Sequence, residues 1–137
     1  MPRPRRAVPR AAAAAVAFLG IFALASCAAA QPPAFDGPRG DDDALPAGYE
    51  EALSEGIDAA SSRLLWSDDT TRVFLVEGDR ESLCLVIEAD AIEAACSPET
   101  PFTVEMPGGG VFAFSERAPE GDWVERGEWL WQADGES

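Results

Sequence analysis

Residues 63–97 read RLLWSDDTTRVFLVEGDRESLCLVIEADAIEAACS, and this stretch decides the fold class. Short runs rich in Leu, Val, Ile and Phe are cut by acidic and Gly-containing turns every seven to eleven residues, the texture of an all-β domain. It divides into strands at Arg63–Ser67, Thr71–Glu77, Ser82–Glu88 and Glu93–Ser97, with turns at Asp68-Asp69 and Gly78-Asp79. Connections this short join antiparallel neighbours. The second and third runs are apolar at consecutive positions, which predicts central strands with both faces at least partly covered.

The pattern continues downstream. Phe102–Met106 and Val111–Ser115 predict a fifth and a sixth strand around a Pro107-Gly108-Gly109-Gly110 turn. That glycine run is followed by alternating Val111-Phe112-Ala113-Phe114, so it reads as a hairpin turn. A phosphate cradle would require a helix start after it. Trp123-Val124 and Glu128–Gln132 add one or two strands, giving a small antiparallel meander or sheet of about six to seven strands. Upstream, residues 46–56 predict one short helix. Pro46 suits its first position, Tyr49, Ala52 and Leu53 share a face, and Gly56 suits its end.

Two cysteines fall inside this frame. A hairpin centred on Asp90 places residue i opposite residue 180 − i, which sets Cys84 opposite Cys96 and Val86 opposite Ala94. Opposed residues of antiparallel strands have Cα atoms about 4.5–5.5 Å apart, within reach of a disulfide. The register therefore predicts a structural Cys84–Cys96 bridge. Eleven intervening residues do not fit the C-x-x-C arrangement of a redox pair.

Composition removes several chemistries. The 137 residues include 25 Asp+Glu, ten Arg, no Lys and no His. Without His there is no Ser-His-Asp triad and no His-ligated metal. Without Lys there is no Schiff base and no P-loop lysine. A net charge of −15 disfavours nucleic acid, whose binding rests on neutralised phosphates. No catalytic set, metal site or cofactor is marked. Many acids guarantee carboxylate pairs, yet none is singled out as a glycosidase pair, so an enzyme is not expected.

The N-terminus carries an address. Arg3, Arg5, Arg6 and Arg10 precede sixteen uncharged residues, Ala11–Ser26, which end Leu24-Ala25-Ser26-Cys27. A basic start and a short apolar run form an export signal, and sixteen residues fall short of the about 20 that span a bilayer. Together with Leu-Ala-Ser-Cys, the segment resembles a bacterial lipoprotein signal peptide with its lipobox. The resemblance covers residues 1–27. It implies cleavage after Ser26, diacylglyceryl modification of Cys27 and a place on the extracytoplasmic face of the cell membrane. An ordinary signal cut near Ala25-Ser26 or Ala28-Ala29-Ala30, and an uncleaved anchor, are the alternatives. Arg5-Arg6 lacks the usual twin-arginine surroundings, which favours the general secretory route.

The expected organisation is a signal peptide over 1–26, the lipidated Cys27 with a disordered acidic Pro/Gly linker over 27–46, a β-rich domain over 47–132 and a tail over 133–137. As a flexible chain the nineteen residues 28–46 would span about 25 Å. Asp41-Asp42-Asp43 lacks the spacing of a calcium loop and reads as solvated linker. Removal of 1–26 takes four Arg and no acid, leaving six Arg against 25 acids, a net of −19. Such a surface repels polyanions and favours solubility or basic partners.

Among Trp66, Trp123, Trp129 and Trp131, the last three lie near the C-terminus, and two of them stand beside carboxylates, Asp122-Trp123 and Glu128-Trp129. Strand alternation would put Trp129 and Trp131 on one face. They are the candidate binding surface, against the alternative that a small domain uses Trp to fill its core. The expected role is a monomeric binding or accessory protein of the cell envelope. It would be held on the membrane by its lipid and take an envelope protein as partner. A cell-wall or carbohydrate-binding module built on the Trp strand is the rival reading.

Overall fold

The computed structural model describes residues 31–53 and 56–135. The chain is mainly β: eight strands in two antiparallel sheets of four, with one short helix before them. Sheet A holds β1 (Ile57–Ser67), β2 (Arg72–Gly78), β3 (Leu83–Glu88) and β4 (Ile92–Ser97) in sequential order. Sheet B holds β5 (Phe102–Glu105), β6 (Val111–Phe114), β7 (Trp123–Gly127) and β8 (Leu130–Ala133) in the order β5-β6-β8-β7. Only sheet A is a plain meander. In sheet B the chain leaves β6, passes beyond the place of β8, and returns to fill it.

Side-chain alternation in β2 and β3 builds two cores. Val73 faces Ile87 and Leu75 faces Leu85 across the ladder. These four pack toward sheet B with Phe112, Phe114 and Leu130. On the opposite face Phe74 pairs with Val86 and Val76 with Cys84, and they form a second cluster under Leu45, Tyr49 and Leu53. All eight of these β2 and β3 side chains are fully buried. That explains why the two strands read as continuous apolar runs.

β3 and β4 pair in the expected register, with Cys84 opposite Cys96 and Val86 opposite Ala94. The cysteines are disulfide-bonded, with Cα atoms 3.9 Å apart. The Gly-rich segment is a hairpin turn, with Gly109 at φ +92° and Met106 N–H donating to Gly110 O at 2.7 Å.

Other features depart from the sequence reading. The helix is α1, Tyr49–Ala52 only, and Leu53 is already extended. Gly48, at φ +90°, turns the chain just before α1, so no helix begins at Pro46. β1 starts six residues earlier than expected, at Ile57. Its first half, IDAASS, has little β-propensity and is held by specific bonds instead. The register shifts between Asp58 and Arg63, and there the Ser61 hydroxyl accepts the Glu77 N–H at 2.8 Å. A side chain thus replaces a ladder carbonyl at a bulge. A second shift, at Leu65, turns Trp66 to the inter-sheet core while Leu64 stays on the outer face.

The stretch expected as free linker is packed from Pro32 onward. Pro32 and Pro46 are buried, and Phe35 joins the inter-sheet core. Asp43 accepts the Gly40 N–H at 2.6 Å and the Leu64 N–H at 2.7 Å, fastening the segment to β1. Arg39 donates to the Ser62 hydroxyl at 2.9 Å. The sparse apolar residues of 32–46 therefore form a strap along β1, and Asp43 serves as a hydrogen-bond acceptor within it. The signal segment and Cys27 lie outside the described residues.

The sheets meet along β1 and β7. A Cβ on Gly127 would lie 2.6 Å from the Leu65 carbonyl oxygen, so the close approach of the two backbones requires glycine there. Among the described residues no helix is long and apolar enough to cross a membrane.

Candidate functional site

The two sheets differ in cover. The outer face of sheet A lies under Leu45, Tyr49 and Leu53. On the outer face of sheet B no second cluster of buried apolar residues forms among the described residues, although Ala113 there is fully buried, and the register fixes what that face carries. Trp123 pairs with Ala133 and Glu125 with Trp131. Trp131 pairs with Ala113 in β6, and Ala113 with Thr103 in β5. Alternation puts all of these on one side, with Phe112, Phe114 and Leu130 on the other.

Trp123 and Trp131 are both half-buried, and each has its indole N–H tied to a carbonyl. Trp123 donates to Glu120 at 2.9 Å and Trp131 to Ser115 at 3.0 Å. Neither ring packs on another aromatic ring among the described residues. Glu125 is exposed directly opposite Trp131 and two positions along β7 from Trp123. Glu105 and Thr103 are exposed on the same face.

Trp129 does not belong to this surface. It sits in the two-residue turn between β7 and β8 at φ +65°. Its ring lies 5.7 Å from Phe114, against the inter-sheet core. The strand on which it was to alternate with Trp131 begins only at Leu130. Trp66 is also a core residue, 6.3 Å from Phe112. Of the three tryptophans proposed from sequence as a surface, the fold brings Trp123 and Trp131 to one face of sheet B and packs the half-buried Trp129 against the inter-sheet core. Glu125 was not singled out, although alternation along Trp123-Val124-Glu125 places it beside Trp123.

A second feature lies at one end of sheet B. A hollow of about 240 Å³ is lined by Thr71, Asp90, Met106, Phe112 and Gln132. Beside it a depression of about 530 Å³ runs from the Gly108–Gly110 turn to Arg126 and Asp134. Arg126 stands 5.3 Å over the Trp66 ring and donates to Gln132 Oε1 at 2.8 Å. These contacts fix the arginine as a clasp between β7 and β8 that also covers Trp66.

Electrostatics at the turns is local. The Thr70 N–H, with the Thr71 N–H and the Thr70 hydroxyl, holds the Asp68 carboxyl below its usual value against an opposing desolvation. Arg72 is raised by its bond to Glu88, the one ion pair among the described residues. No cluster of three or more His, Cys, Asp or Glu suited to a metal ion occurs among the described residues. Comparison with protein-family models, curated proteins and solved structures found no match for this chain.

Proposed function

We propose that the protein is a lipoprotein of the cell envelope, anchored through Cys27 on the extracytoplasmic face of the membrane. It acts there as a binding or accessory protein, using the outer face of sheet B. The observation that carries the binding reading is the placing of Trp123 and Trp131 as diagonal neighbours on the outer face of sheet B, which carries no second apolar cluster among the described residues. Half-buried indoles supply contact area at low conformational cost, as anchor residues of interfaces do. A bound wall glycan is the second reading, favoured by the same indoles.

The anchor reading rests on the Leu24-Ala25-Ser26-Cys27 motif. It has a geometric consequence. Four residues, 28–31, separate Cys27 from buried Pro32, and at about 3.5 Å per residue the tether reaches roughly 17 Å. The domain would ride close to the bilayer.

Metabolic labelling with an alkyne fatty acid tests the anchor. The expected result is label on the wild type, none on Cys27→Ala, and recovery of that variant outside the membrane fraction. Cross-linking in intact cells followed by purification tests the binding role. One recurrent protein supports the accessory reading, wall glycan alone supports the second reading, and neither removes both.

A further inference from the structure

We propose that Trp123, Glu125 and Trp131 form a receptor for a cationic side chain, the Lys or Arg of a basic segment in a partner protein. The inference rests on the reading that the outer face of sheet B is the binding surface, and it adds the chemistry of what that surface takes.

The three residues make a triangle fixed by the ladder. Glu125 is directly opposite Trp131, Trp123 is two residues from Glu125 on the same strand, and the two indoles are diagonal neighbours. Diagonal positions lie about 7–8 Å apart, a span that aromatic side chains bridge. Because both indole N–H groups already donate to backbone carbonyls, what the rings offer a ligand is their π-surface. An indole face is the best aromatic partner for an ammonium or guanidinium group.

The carboxylate completes the site. Glu125 is exposed and takes no part in the one ion pair among the described residues, Arg72–Glu88. Glu105 adds a second exposed carboxylate to the same face. The chain from Cys27 onward carries a net −19, so its field draws a basic segment in and repels an acidic one. A neutral glycan could stack on the indoles and donate its hydroxyls to Glu125 or to a Gln there, whereas a cation needs the charge, and this separates the two occupants.

The test titrates the full-length protein in detergent with hexa-arginine amide and, separately, with neutral chitohexaose, reading tryptophan fluorescence and the unfolding midpoint. Hexa-arginine is expected to bind. Glu125→Gln and Trp131→Ala should each weaken it about tenfold. Glu50→Gln, an equal charge change on the helix that covers sheet A, should leave it within twofold. Equal weakening by Glu125→Gln and Glu50→Gln would overturn the proposal in favour of diffuse attraction. Binding of chitohexaose with no response to hexa-arginine would overturn it while leaving sheet B as the binding surface. Silence toward both probes would overturn it too. Envelope cross-linking of Trp131→Ala then shows whether the wider reading falls with it: an undiminished yield means that sheet B is not the surface.

Discussion

The central strands of sheet A carry a buried apolar cluster on each face, whereas sheet B carries one only on its inner face among the described residues. β2 and β3 lie between sheet B and the Leu45, Tyr49 and Leu53 side chains, so they offer almost nothing to solvent. Sheet B packs the same inter-sheet core with one face and turns Trp123, Glu125 and Trp131 outward with the other. The apolar residues of sheet A are thus accounted for by stability. Those on the outside of sheet B are not, and that contrast is the basis for assigning function to sheet B.

The largest effect should come from the shared core. Phe114 is fully buried and touches both Phe102 and Trp129. Phe114→Ala should cost about 3–5 kcal/mol, read by denaturant unfolding. Next, the Cys84–Cys96 bridge closes a short loop within sheet A. The double Cys→Ser variant should lose roughly 3 kcal/mol, with sheet B unable to hold the fold alone. The strap is the third point of attack. Asp43→Ala removes the acceptor for the Leu64 and Gly40 N–H groups and should cost about 1–3 kcal/mol. Faster hydrogen exchange at Leu64 than at Leu85 would locate the loss in the strap.

A small pH effect sharpens the picture at the β1–β2 turn. The Asp68 pKa is lowered in the folded state, so its contribution is present above the unfolded value, about 3.9, and is lost as pH falls through the lower folded one. Asp68→Asn should therefore lower the unfolding midpoint slightly at pH 7, leave it unchanged below the folded pKa, and so lessen its acid sensitivity.

The sequence disclosed sheet A better than sheet B. Continuous apolar runs bounded by acidic turns set β2 and β3, and hairpin symmetry set the Cys84–Cys96 register. The first half of β1 was hidden because Asp58–Ser62 is held by serine hydroxyls and a bulge, which leave no periodic apolar signal. The strap was hidden because Pro32, Phe35, Leu45 and Pro46 are too widely spaced to form a pattern, yet each finds a place in the fold. In sheet B the order β5-β6-β8-β7 depends on a long excursion after β6, whose return position spacing does not encode. Trp129 was misplaced for a related reason. Alternation holds only within a strand, and a two-residue turn at positive φ removes Trp129 from it. The candidate site was legible in residue type at Trp123 and Trp131, while Glu125 became visible only through the register.

The most direct test of the division between the sheets compares one substitution on each exposed side. Trp131→Ala alters the outer face of sheet B, and Glu50→Gln alters the cover of sheet A. Each would be expressed in cells, cross-linked and purified from membranes, with the yield of bound partner quantified beside the unfolding midpoint. The account predicts at least a tenfold loss of partner for Trp131→Ala, with the protein still folded, and no loss for Glu50→Gln. An undiminished yield from Trp131→Ala, or a loss that follows only from unfolding, would contradict it.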